Sequence, residues 1–140
     1  MYTIDVDAGT IGKASYKDIV VNYGVSSATS FTFSPDKKYL LFDADVPSES
    51  MEGLHEPAGA IFIHTLSSAG TRRVTPPGIC GFYPSWYFDG RIIFSSFTEN
   101  DILQRAGFSG IATRIYTIDI TGKNLEALIE NASDPSISMK

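Results

Sequence analysis

Two short signatures recur along the chain in the same order, and such a recurrence restricts the fold more than any single motif does. The first runs Ser30-Phe31-Thr32-Phe33-Ser34-Pro35-Asp36-Lys37-Lys38-Tyr39-Leu40-Leu41-Phe42 and returns as Tyr83-Pro84-Ser85-Trp86-Tyr87-Phe88-Asp89-Gly90-Arg91-Ile92-Ile93-Phe94. Phe33 aligns with Trp86, 53 residues later, and Asp36 with Asp89. The second occurs three times, as Met1 to Val6, Ile61 to Leu66 and Ile115 to Ile120, at spacings of 60 and 54 residues. Each signature is rich in Ile, Phe, Tyr and Thr and ends in turn-forming residues, which is strand chemistry. In the first, Pro35 presets a turn dihedral and Gly90 accepts positive φ before a second apolar strand returns. In the second, the strand ends at Asp7-Ala8-Gly9, at Ser67 to Gly70 or at Thr121 to Asn124, and another β segment follows. One repeat therefore holds four strands in an antiparallel meander of about 50 residues, the sequence form of a propeller blade.

The expected fold class is all-β: antiparallel four-stranded blades of a β-propeller, about two and a half of them. Residues 1–22 supply the third and fourth strands of one blade, residues 28–76 a full blade and residues 82–130 another. Residues 131–140 form a tail or begin the next strand. One or two helical turns are expected within Glu99 to Gly107, where Ile102, Leu103 and Ala106 have helical spacing and Asn100 is a candidate cap. The expected core is Phe33, Phe42, Ile63, Trp86, Ile93, Phe94, Tyr116 and Ile118.

These residues resemble the TolB-type, WD-like β-propeller repeats. Blades of that family carry an aromatic-Ser-Pro-Asp-Gly-Lys/Arg hairpin, an apolar strand ending Phe-Ser-Ser and an Ile-Tyr-x-x-Asp strand. Pro84 to Ser96 is the closer match, completed by Ile115 to Ile120 and Gly122. The earlier repeat keeps Phe33-Ser34-Pro35-Asp36 but has Lys37 where the family prefers Gly, and Phe42-Asp43-Ala44 for Phe-Ser-Ser. The later one has Tyr87-Phe88 in place of Ser-Pro. The resemblance implies the propeller fold and leaves activity open, because such propellers host scaffolds, peptidase gates and lyases alike. It also implies a periplasmic or extracellular setting, although Met1 to Thr10 lacks a basic region followed by an apolar one.

Closed propellers take typically 4–8 blades that bury their faces on one another. Two and a half blades should thus expose two apolar sheet faces. The chain is expected either to belong to a longer polypeptide or to associate with further blades as a homo-oligomer. The sequence is 43% apolar, enough for a core, and its net charge of −5 argues against a nucleic-acid or anionic-membrane partner. The longest apolar run, Tyr39 to Phe42, is far short of the ~20 residues of a membrane helix, so no membrane insertion is expected.

Function is expected on the long connections between second and third strands, from about Asp43 to Gly59 and from about Phe97 to Thr113. The first holds Asp43, Asp45, Glu49, Glu52, His55 and Glu56 and no Lys or Arg. It reads as a solvated acidic loop matching no calcium-loop spacing, with a site for a cation or a basic partner as its functional alternative. His55 beside Glu52 and Glu56 would have its pKa raised, whereas His64 falls in a strand and reads as a packed residue. Cys80, the one cysteine, reads as a small buried hydrophobe. Asn131-Ala132-Ser133 is a glycosylation acceptor pattern, relevant only to an exported chain. Gly107-Phe108-Ser109-Gly110 falls short of a nucleophile elbow, so no catalytic residue, cofactor or metal is assigned. The expected function is a non-enzymatic protein-interaction or structural module. The alternative is the propeller portion of an enzyme, as a prolyl-oligopeptidase-like gate or an oligosaccharide-lyase-like ring.

Overall fold

The computed structural model describes residues 2–5, 10–13, 25, 29–46, 58–98, 101 and 113–136. Strands β1 (Tyr2–Asp5) and β2 (Thr10–Lys13) pair antiparallel, with Tyr2 opposite Lys13 and Asp5 opposite Thr10. Strands β3 (Phe31–Phe33), β4 (Tyr39–Val46), β5 (Ala58–Thr65) and β6 (Gly70–Arg73) form one antiparallel sheet in chain order. Strands β7 (Ile79–Trp86), β8 (Ile92–Thr98), β9 (Arg114–Ile118) and β10 (Glu126–Glu130) form a second sheet of the same order. The protein is thus all-β, with two four-stranded antiparallel meanders where the two repeats lie.

The repeated turns are held by the residues that repeat. Ser34 N–H donates to Tyr39 O at 2.9 Å and Lys37 N–H to Ser34 O at 2.9 Å. Tyr87 N–H donates to Arg91 O at 2.8 Å and Gly90 N–H to Tyr87 O at 3.0 Å. In each turn a carboxylate accepts the N–H two residues on, Asp36 from Lys38 at 3.2 Å and Asp89 from Arg91 at 3.0 Å, which is how Asp stabilises a tight turn. Lys37 and Gly90 occupy the same place in their turns, with φ of 56° and 85°. Glycine takes that conformation without strain, while the Lys37 Cβ crowds its own backbone.

Residues opposite each other in a ladder share a face, so Leu41, Ile61 and Ile63 lie on one side of the first sheet. That side meets the second sheet, whose first strand β7 packs on β3, β4 and β5. The shared core joins Leu41, Ile61, Ile63 and Val74 to Ile92, Phe94 and Ile118, with Tyr39, Trp86 and Tyr116 partly buried around it. Each fully buried side chain of this kind contributes about 1.5–3 kcal/mol. Of the expected core, Phe42, Ile63, Ile93, Phe94 and Ile118 are buried, and Trp86 and Tyr116 are half-buried. Phe33 departs from expectation at 42% exposed, because it ends the three-residue edge strand β3, where a single neighbour covers it.

The faces turned away from the shared core are covered over their inner strands as well, although Ile129, opposite Ile115 on the edge strand β10, is 54% exposed. On the first sheet Phe42 stacks between Phe31 and Phe62, at centroid distances of 5.6 Å on either side, and Val25 packs on this cluster. On the second, Ile93, Ile115 and Thr117 are buried. The segment after β10 returns toward β8 there, with Ala132 N–H donating to Thr113 O at 3.0 Å and Asp134 N–H to Ser95 Oγ at 2.7 Å. The expectation of two exposed apolar sheet faces is therefore corrected at these positions.

Strands also run further than the sequence pattern suggests. Asp43 and Asp45 belong to β4, and Cys80 and Gly81 to β7. The expected helical turn in Glu99 to Gly107 lies outside the described residues apart from Asp101, whose carboxylate accepts from Thr98 and Arg114.

Candidate functional site

Of the acidic group singled out in the sequence, the structure places two members. Glu49, Glu52, His55 and Glu56 lie outside the described residues. Asp45 is exposed on β4, whereas Asp43 is buried on the face turned toward the second sheet. The Asp43 carboxylate accepts Ser30 N–H at 2.7 Å and Tyr83 N–H at 3.5 Å. Burial pushes its pKa up, opposed by these backbone donors. Tyr83 has φ of 52° in the irregular stretch of β7 between Phe82 and Ser85. Asp43 therefore ties the first sheet to a bulge in the second and does not project into a loop. His64 is buried with Nδ1 2.7 Å from Thr71 Oγ1, and Cys80 is buried beside Phe97, both as the sequence suggests.

A concave surface instead forms at the opposite end of β4 and β8, where the two repeated turns come together. It is a groove of about 430 Å³ walled by Pro35, Tyr39, Trp86, Tyr87 and Phe88, with Ser34, Asp36, Gly90 and Ile120 completing it. The Tyr39 and Trp86 rings lie 6.4 Å apart, and those of Tyr87 and Phe88 4.1 Å. The Trp86 indole N–H donates to Thr32 O at 3.4 Å, which fixes the ring across the joint between sheets. Phe88 is 74% exposed. The Arg91 guanidinium already lies over the Tyr87 ring, 5.6 Å from its centroid, and is anchored to Asp89 at 2.8 Å and Glu126 at 3.3 Å.

Among the described residues Asp36 is the one charged residue of the groove's wall. The Ser34 hydroxyl donates to its Oδ1 at 2.7 Å, and Lys38 Nζ stands 3.0 Å from Oδ2. The Ser34 bond first, then the Lys38 side chain, holds the Asp36 carboxyl at about 2, below the usual carboxylate range. This Ser–Asp pair is not built for nucleophilic chemistry. Ser34 is buried, and its oxygen also accepts the N–H groups of Lys38 at 3.1 Å and Tyr39 at 3.0 Å, so it is a turn anchor rather than an activated hydroxyl. Among the described residues no group of three His, Cys, Asp or Glu is placed to hold a metal, and no helix is long and apolar enough to cross a membrane.

Sequence reasoning treats both turns as structural and misses the groove. The available signal is Tyr87-Phe88, two aromatics where the resembled family has Ser-Pro. No protein-family model and no curated protein matches the chain.

Proposed function

We propose that the chain is a non-enzymatic interaction module built of propeller-type blades, binding a protein partner at the ends of its stacked sheets. The supporting observation is that two chain-order meanders share one core and together wall an aromatic groove at their hairpin end. Stacked meanders of this order are how propellers are assembled, and neighbouring blades then present composite surfaces. The other end, where β4 stops at Val46 and β5 begins at Ala58, is the second surface of this reading. Placing a photoreactive residue at Phe88 in one sample and at Asp45 in another tests both ends. Cross-links to another polypeptide from either end support the module, and the end that links identifies the surface. A folded chain that links to nothing from both positions refutes it.

A further inference from the structure

We propose that the aromatic groove docks an arginine side chain of a partner polypeptide, flanked by apolar residues, with Asp36 as its counter-charge. This rests on the interaction-module reading and names the chemistry of one surface.

The wall has two properties that select a cation with an apolar surround. Tyr39, Trp86, Tyr87 and Phe88 line it, and aromatic ring faces carry negative quadrupole charge that attracts guanidinium or ammonium groups; Tyr87 already meets Arg91 in this way, which leaves Tyr39, Trp86 and Phe88 for a guest. Asp36 adds a full negative charge, ionised at any pH above its value of about 2. Among the described residues no Lys or Arg is part of the wall, and the cation that meets Asp36 is Lys38, which is not a lining residue. The chain's net charge of −5 favours the approach of a basic partner. Arginine is chosen over lysine because a planar guanidinium stacks on rings and pairs with a carboxylate at once. The protein already uses this pairing, with Arg91 over Tyr87 and bonded to Asp89. Pro35, Phe88 and Ile120 leave room for apolar neighbours, and about 430 Å³ falls within the range of clefts that take organic groups, roughly 300–1,000 Å³.

Lys38 is the resident competitor. Its ammonium reaches Asp36 from outside the wall, and the two side chains are 71% and 48% exposed. An exposed pair of this kind is weak and yields readily to a better-placed cation.

Trp86 is the one tryptophan of the chain and lines the groove, so its emission reports occupancy directly. A capped Leu-Arg-Pro-Leu peptide should change that emission saturably, with Kd on the order of 0.1–1 mM. The same peptide with citrulline, nearly isosteric and uncharged, should bind about ten-fold more weakly. Phe88→Ala, at an exposed position, and Asp36→Asn should each weaken binding, while Lys38→Ala should tighten it about two- to five-fold. Circular dichroism checks that each variant is folded, and Phe88→Ala decides the matter if Asp36→Asn loosens the turn. Equal affinity for the arginine and citrulline peptides, or no saturable change with folded protein, overturns the proposal. Cross-linking from Asp45 in that event leaves the module reading intact and removes this one alone.

Discussion

The contact between the sheets depends on a residue without a side chain, and adding one should force them apart. Gly81 lies opposite Ser96 in the β7–β8 ladder. A Cβ built on Gly81 stands 2.8 Å from Ile61 Cγ1 and 3.1 Å from Thr75 Cγ2. Neither neighbour can retreat: both are buried, and Thr75 Oγ1 accepts Ile61 N–H at 3.1 Å. Its φ is outside the left-handed region, so backbone entropy alone would make Gly81→Ala stabilising by about 0.4–1 kcal/mol. Overpacking opposes this with about 1–3 kcal/mol. The steric cost exceeds the entropic gain, and a net loss of about 1–2 kcal/mol is expected. Ile61→Ala by itself should cost about 2–5 kcal/mol, yet it removes the atoms the new Cβ meets. The double variant should therefore be less destabilised than the sum of the two, by about 1–2 kcal/mol. Urea unfolding followed through Trp86 emission measures all three. A Gly81→Ala variant as stable as its parent, or strict additivity in the cycle, would show that the sheets do not meet at Gly81 and Ile61.

Lys37→Gly should stabilise the first repeated turn by about 0.5–1 kcal/mol, because the relief of a left-handed Lys exceeds the entropy glycine adds to the unfolded chain; chemical denaturation reads the gain. Trp86→Ala should cost about 3 kcal/mol or less, below the value for a fully buried tryptophan, since the ring is half-buried; thermal melts by circular dichroism measure it. The Asp43 carboxyl is raised above the ordinary aspartate value of 3.8 chiefly by burial, so its contribution to stability is present below 3.8 and is lost as pH rises through the raised folded value. Asp43→Asn, which keeps an acceptor for Ser30 N–H, should then gain on the parent between about pH 3 and pH 7 in paired urea titrations; a constant difference across that range would refute the role given to Asp43.

The repeated turns are legible in the sequence because their chemistry is local. Asp36, Asp89 and Gly90 act on their own few residues, and the strands on either side follow from period and composition. What escapes is whatever depends on partners distant in sequence. An aspartate reads as loop because a carboxylate prefers water, yet Asp43 lies inside β4 with Ser30 and Tyr83 N–H groups replacing that water. Cys80 reads as part of a Pro-Gly link because Pro76, Pro77 and Gly78 dominate the composition there, whereas the ladder to β8 begins immediately after them, at Ile79. The groove needs the relative position of two turns and of Ile120, which no local pattern encodes.

Pro35 and Phe88 belong to the groove's wall without belonging to the core. Backbone bonds, the aspartates and the residues of positive φ fix each hairpin, while the position between, Pro35 in one turn and Phe88 in the other, has its side chain largely in solvent. The hydrogen bonds that close each hairpin therefore do not use the side chain at that position. Replacing Ser-Pro chemistry with Tyr87-Phe88 turns an ordinary hairpin into half of an aromatic wall without disturbing the ladder between β7 and β8. At this end of the molecule the exposed side chains of Pro35 and Phe88 are thus carried on turns whose backbone hydrogen bonds do not use them, beside Tyr39 and Trp86, which pack on the shared core.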